Sequence, residues 1–196
     1  MIVWAAESRD KKLGFYRVST VDGSLVGSRI LEDNNGRMKS VQMVDLNGDG
    51  QKQLLFNNYE YSASDNGIWA YTVPDDLMAG DFVRYDIALG FPSSWWYIVN
   101  RISAPGYAYP FYPDGKKEGR AHILVAGHGN QRTWLLTPTG DAAKFEYERH
   151  EVLYSGNVVV DLAITDINGD GEQEVFIGNF QKGYAEVLQT SPLASV

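Results

Sequence analysis

Two stretches of the chain, Asp45-Leu46-Asn47-Gly48-Asp49-Gly50 and Asp166-Ile167-Asn168-Gly169-Asp170-Gly171, are near copies of one oxygen-rich loop, and each runs into an apolar segment. Oxygen-bearing side chains at alternate positions 1, 3 and 5 fall on one side of a tight turn, and glycine at position 6 lets the backbone close around a hard cation. Position 7 offers a backbone carbonyl, from Gln51 or Glu172, and position 9 a side chain, Gln53 or Glu174. One or two calcium ions are therefore the expected cofactors. The second loop brings three carboxylates to its ion and the first only two, so the second is expected to be the tighter site.

An EF-hand begins in the same way but needs a bidentate acidic residue at position 12 between two helices. Position 12 is Phe56 in one loop and Ile177 in the other. The segments Gln53-Leu54-Leu55-Phe56 and Glu174-Val175-Phe176-Ile177 are rich in β-branched and aromatic residues and bounded by Gly and Asn, which is strand signal. The loops are therefore expected to join strands.

Around the loops the chain repeats. The segments Ile2-Val3-Trp4-Ala5, Leu54-Leu55-Phe56-Asn57, Ile123-Leu124-Val125-Ala126 and Val175-Phe176-Ile177-Gly178 start about 52, 69 and 52 residues apart. Each is followed by a polar turn and a second strand, and three of the four by a further strand, over 24–31, 82–89 and 145–153. Alternation such as Phe145-Glu146-Tyr147-Glu148 has the period of two of a half-buried strand. Inner strands such as Val41-Gln42-Met43-Val44 and 158–162 lead into the oxygen-rich loops, and no segment carries a helical stripe. Four-stranded units at this period predict an all-β fold, a β-propeller of four-stranded antiparallel blades. The repeats span approximately 1–37, 38–90, 91–155 and 156–196, about three and a half blades, the first short of its inner strand and the last of its outer one. The expectation is a portion of a propeller of about seven blades, completed by more chain or by another subunit.

Strand, Asp-x-Asn-x-Asp-Gly-x-x-(Gln/Glu), apolar strand resembles the FG-GAP/VCBS repeat, the blade unit of integrin-alpha-like calcium-binding propellers. The specific motif occupies residues 45–53 and 166–174, while the repeat pattern extends over nearly the whole chain. The resemblance implies propeller blades and calcium. A clear Phe-Gly…Gly-Ala-Pro cage is absent, with Ser103-Ala104-Pro105-Gly106 its faint echo, so the chain looks more like the VCBS branch than the integrin one.

The third repeat carries a degraded loop. Asp114, Lys116, Glu118, Gly119 and His122 stand where the other loops have Asp, Asn, Asp, Gly and Gln or Glu. A lysine at position 3 repels a divalent ion and neutralises the neighbouring carboxylates, so this loop is expected to be metal-free.

Composition narrows the function classes. A net charge of −8 without a basic stripe argues against a nucleic-acid partner. No apolar run reaches the 18 or so residues of a membrane span, and no signal peptide is visible. The absence of cysteine excludes disulfides, zinc-thiolate sites and a cysteine nucleophile. Calcium loops of modest charge suit the calcium concentration outside cells, which points to an extracellular, secreted or cell-surface setting.

Propellers commonly bind ligands on the face opposite the calcium loops. Tyr59, Tyr61, Trp95, Trp96, His128, Gln131 and Arg132 are expected there. Aromatic rings beside amide and guanidinium donors suit a sugar, because rings stack on apolar sugar faces while planar polar groups bind hydroxyls. Each also has an ordinary reading: Trp95 and Trp96 as packing between blades, and the aromatic run Tyr107, Tyr109, Phe111 and Tyr112 as part of an extended loop over 103–119 that covers a sheet edge. There is no P-loop, no Gly-x-Ser-x-Gly and no His-Glu-x-x-His. His128, with Arg101 and Arg132, is the one constellation that a lyase would use. Two classes follow: a non-catalytic, calcium-stabilised scaffold for cell adhesion or carbohydrate binding, whose partner is a glycan or an extracellular protein, or a carbohydrate-active propeller enzyme of the polysaccharide lyase or sugar dehydratase type.

Overall fold

The computed structural model describes residues 1–96, 100–116, 118–179 and 183–189, with 94–96 and 100–102 described by backbone alone. The chain is all-β. Its strands are β1 (Ile2–Glu7), β2 (Lys12–Val18), β3 (Leu25–Asp33), β4 (Met38–Val44), β5 (Gln53–Asn58), β6 (Gly67–Tyr71), β7 (Arg84–Leu89), β8 (Ser94–Trp96), β9 (Asn100–Ile102), β10 (Ala108–Phe111), β11 (His122–Ala126), β12 (Arg132–Pro138), β13 (Tyr147–Tyr154), β14 (Val159–Thr165), β15 (Glu174–Asn179) and β16 (Tyr184–Gln189). Two single 3-10 turns, Ala63–Asp65 and Ala142–Lys144, are the helical elements among the described residues. No helix there is long and apolar enough to cross a membrane.

Four antiparallel meanders follow one another, β1-β2-β3, β4-β5-β6-β7, β10-β11-β12-β13 and β14-β15-β16, and none closes on itself. The central strands explain the stacking. In β5, Leu54 and Phe56 pack with Leu13, Trp69 and Tyr71 against the first sheet, while Leu55 packs with Ile123 and Val125 of the third. In β11, Ile123 and Val125 face the second sheet and Leu124 and Ala126 join Leu162 and Ile177 of the fourth. Period-two alternation thus sends successive side chains to two neighbouring sheets, so these strands are apolar on both faces. Outer strands are not sandwiched in this way: β13 is mostly exposed, and β16 alternates exposed and half-buried.

Three departures from the sequence reading bear on the site. Strand β10 lies inside the stretch expected to be an extended loop, and its Tyr109 and Phe111 pair with Leu124 and His122. Proline at 110 argues against a strand, yet β10 is an edge strand bonded only to β11, where a missing N–H is tolerated. The separate hairpin β8-β9 stands between the second and third sheets in the chain, in the interval where the repeat spacing lengthens. Phe145 does not open an outer strand. It sits in the left-handed region (φ 53°) after the 3-10 turn, buried edge-on to Tyr85 with ring centroids 4.8 Å apart.

Candidate functional site

The two oxygen-rich loops occupy equivalent places, residues 45–52 between β4 and β5 and 166–173 between β14 and β15. Each is closed by the register of its hairpin, Val44 opposite Gln53 and Thr165 opposite Glu174. Within each, the first aspartate shapes the turn. Asp45 accepts from the N–H groups of Gly48 (2.7 Å) and Gly50 (2.8 Å), and Asp166 from Gly169 (2.6 Å) and Gly171 (2.9 Å). Both glycine positions have φ between 76° and 91°, which only glycine adopts without strain. Asn47 donates to Asp49 and Asn168 to Asp170, both at 2.9 Å, and Asp49 and Asp170 accept from the N–H of Gln51 (2.7 Å) and Glu172 (2.8 Å). The sequence thus dictates the same local fold twice.

The loops differ at position 9. In the first, Gln53 accepts from the Leu46 N–H through Oε1 (2.8 Å) and donates from Nε2 to the Gln51 carbonyl (2.9 Å) and to Asn47 Oδ1 (3.5 Å). In the second, Glu174 accepts from the Ile167 N–H through Oε2 (2.9 Å). Its other oxygen, Oε1, is buried without a hydrogen-bond partner, on a residue only 4% exposed. The matching N–H bond and strand register give Glu174 the place in its loop that Gln53 holds in the first, where the other end of the side chain meets the position-7 carbonyl and the position-3 amide oxygen. A buried carboxylate oxygen without a donor is costly, and a cation removes that cost. Among the described residues, no three His, Cys, Asp or Glu side chains converge as a metal cluster. The donor set here depends in addition on an amide oxygen and a backbone carbonyl, as hard-cation loops do.

The third loop, residues 112–121, carries ten residues between paired Phe111 and His122, two more than the others. Its extra length lies on the strand β10 side of Asp114, whose carboxylate accepts from the Lys116 N–H (3.1 Å). It wedges between the other two: a side chain on Gly48 would meet Gly119, and one on Gly115 the Gly171 carbonyl. The hydroxyl of Tyr147 donates toward the carbonyls of Leu46 (3.2 Å) and Ala121 (2.9 Å), joining the first loop to the third. A cavity of about 600 Å³ opens beside the loops, lined by Asp45, Lys52, Tyr109, Tyr112, Leu162 and Gln173 among others.

The expected ligand residues divide into two groups. Tyr59 and His128 meet edge to face with centroids 4.8 Å apart, the hydroxyl 3.4 Å from Nδ1, and Arg37 lies over the rings of Tyr59 (4.9 Å) and Tyr61 (4.6 Å). Lys39 sits over Tyr107 (4.4 Å) and Tyr59 (5.0 Å), and Arg37 donates to Ser103 at 2.5 Å. Sequence reasoning missed Arg37 and Lys39, whose one signal was two cations flanking Met38 at the start of β4, and read Tyr107 only as part of a loop covering a sheet edge. Gln131 and Arg132 belong elsewhere: Arg132 pairs with Glu151 at 2.7 Å and covers Tyr154, whose hydroxyl donates to Gln131. Arg132 is thus committed to an outer strand and does not join His128 as a lyase pair. Trp95, Trp96 and Arg101 are placed in β8 and β9 by backbone, and their side chains lie outside the described part of the structure.

Burial is the main force on the titratable groups of the first group. It lowers the His128 imidazole to about 4, with Lys39 adding to the effect. It also lowers the Lys39 ammonium, against the pull of Asp161, and raises the Tyr59 hydroxyl. A neutral imidazole of such weak basicity is a poor general base at neutral pH, since efficient catalysts are matched to the working pH. The arrangement is suited to binding: cations and aromatic faces are held in fixed positions. No family model, curated protein or solved structure matches this chain.

Proposed function

We propose that this chain is a calcium-stabilised β-propeller module serving as a non-catalytic binding scaffold. The observation that carries the metal reading is the orphaned, buried Oε1 of Glu174, at the end of the loop that holds Asp166, Asn168 and Asp170. Asp166, Asn168, Asp170 and Glu174 would hold the ion through side chains and Glu172 through its carbonyl. When bound, calcium supplies charge neutralisation and cross-links the ends of β14 and β15; no step of chemistry is assigned to it. The propeller reading is supported by four successive meanders, each packed face to face on the next, with β4, β10 and β14 bordering one cavity. A site of this charge suits calcium concentrations outside cells, so the proposed setting is extracellular.

The partner proposed is a glycan or an extracellular protein, met by Tyr59, Tyr61, Arg37, Lys39 and Tyr107, where ring faces and cationic donors lie side by side. The low basicity of His128 and the engagement of Arg132 with Glu151 favour binding over a lyase or dehydratase reaction. Calorimetric titration with calcium chloride tests the metal reading: the chain is expected to bind calcium and Asp166→Asn/Asp170→Asn to lose it, and a silent wild-type titration up to millimolar calcium would refute it. Glycan-array binding followed by product analysis tests the second part. Binding without turnover is expected, and an unsaturated sugar product would move the chain to the enzyme class.

A further inference from the structure

We infer that Gln53 closes the first loop in the ion's place, so that the chain takes one calcium ion and not two. The inference rests on the calcium reading of the second loop and concerns what a single side chain does to its twin. The Leu46 N–H is the fixed point. Leu46 is fully buried, and its N–H is met by Gln53 Oε1 at 2.8 Å. That bond decides which end of the amide faces the ring of oxygens. Turning the amide over would set two N–H donors against each other and leave a buried N–H without an acceptor, so Nε2 faces inward. There it donates to the Gln51 carbonyl at 2.9 Å and to Asn47 Oδ1 at 3.5 Å, the oxygens of positions 7 and 3 that a cation would need.

An amide nitrogen has no lone pair to give a metal, and its hydrogens occupy the lone pairs of the neighbouring oxygens. Glutamate at the same position serves both demands, one oxygen for the backbone N–H and one for the ion, as Glu174 is placed to do. Charge acts in the same direction. The first loop carries Asp45, Asp49 and the ammonium of Lys52, whereas the second carries Asp166, Asp170, Glu172 and Glu174. The surroundings differ as well: the first loop is braced by Tyr147 and by Tyr112, whose hydroxyl lies 3.4 Å from the Asp45 carbonyl, while Ile167 of the second loop is 66% exposed. The first loop is a permanent joint of the fold, and calcium acts at the second alone.

Counting bound calcium on the full chain by equilibrium dialysis, with calorimetry alongside, tests this. Wild type is expected to bind one equivalent and Gln53→Glu two, while Asp49→Asn, which weakens only the first loop, leaves the count at one. Two equivalents in wild type, one of them lost in Asp49→Asn, would overturn the inference and leave the calcium reading standing. One equivalent in wild type with no gain in a Gln53→Glu protein of unchanged circular dichroism would overturn it too. No calcium in any of the three proteins would overturn the calcium reading and this inference with it.

Discussion

Replacing Glu174 by glutamine changes one buried atom and is expected to move stability in opposite directions with and without calcium. In the calcium-free protein Oε1 has no partner, on a side chain 4% exposed. The amide nitrogen that replaces it meets the oxygens of Asn168 and Glu172, as Gln53 meets Asn47 and Gln51 in the first loop. An unsatisfied buried polar group costs about 1–3 kcal/mol, so Glu174→Gln recovers roughly that amount. For a chain of this size about 1 kcal/mol moves Tm by roughly 2–4 °C, which predicts a variant melting roughly 2–12 °C higher in chelator. Calcium reverses the order. A ligand at about 100 times its Kd stabilises the native state by about 2.7 kcal/mol, and the variant, with its inward donor, forgoes all of it. Scanning calorimetry of both proteins in chelator and in roughly 10 mM calcium, well above a weak extracellular Kd of about 10⁻⁴ M, gives four Tm values. A variant that melts below wild type in chelator, or that keeps the wild-type shift in calcium, would show that Oε1 is not the unpaired atom that holds the ion.

Leu46→Ala and Ile167→Ala remove the same loop position from two environments, one fully buried and one 66% exposed. Urea unfolding is expected to show a loss of about 2–5 kcal/mol for the first, and a change within about 0.5 kcal/mol for the second; equal losses would mean that the loops are packed alike. Tyr147→Phe deletes the hydroxyl that donates toward Leu46 and Ala121, and a loss of about 1–2 kcal/mol in the same assay is expected, whereas an unchanged midpoint would deny the hydroxyl its role as a tie between loops. His128 is depressed to about 4 in the folded chain, while an unfolded histidine titrates near about 6.5. Between those values the unfolded chain binds a proton that the folded chain refuses, so the contribution of His128 is intact above pH ~6.5 and is lost as pH falls toward ~4. The difference in denaturant midpoint between wild type and His128→Gln, followed over that range, is expected to shift steadily against wild type on acidification; a flat difference would place the imidazole in water.

Much of the arrangement was legible in the chain because it depends on neighbours in sequence. The Asp, Gly and Asn spacing dictates each loop's hydrogen bonds locally, so the two loops could be recognised as one structure before any fold was known. The repeated apolar runs Leu54-Leu55-Phe56 and Ile123-Leu124-Val125 marked strands, and the strand count of the four sheets followed from the repeat, whereas only the packing showed that these strands are buried on two faces. Strand β10 was hidden by Pro110, because only its place at a sheet edge makes a missing N–H harmless. Phe145 continued an alternating pattern, and only the turn before it and the packing on Tyr85 took it out of the strand. Tertiary structure alone decided that Arg37, Lys39, Tyr59, Tyr107 and His128 stand together and that Arg132 stands apart, since Tyr59–His128 and Lys39–Tyr107 join residues of different sheets and the other contacts join different strands of one sheet. It also decided which end of Gln53 faces inward. The letters at position 9 give a glutamine and a glutamate of nearly equal shape; the buried N–H of Leu46 or Ile167 orients each, so one leaves a donor inside its loop and the other a bare oxygen.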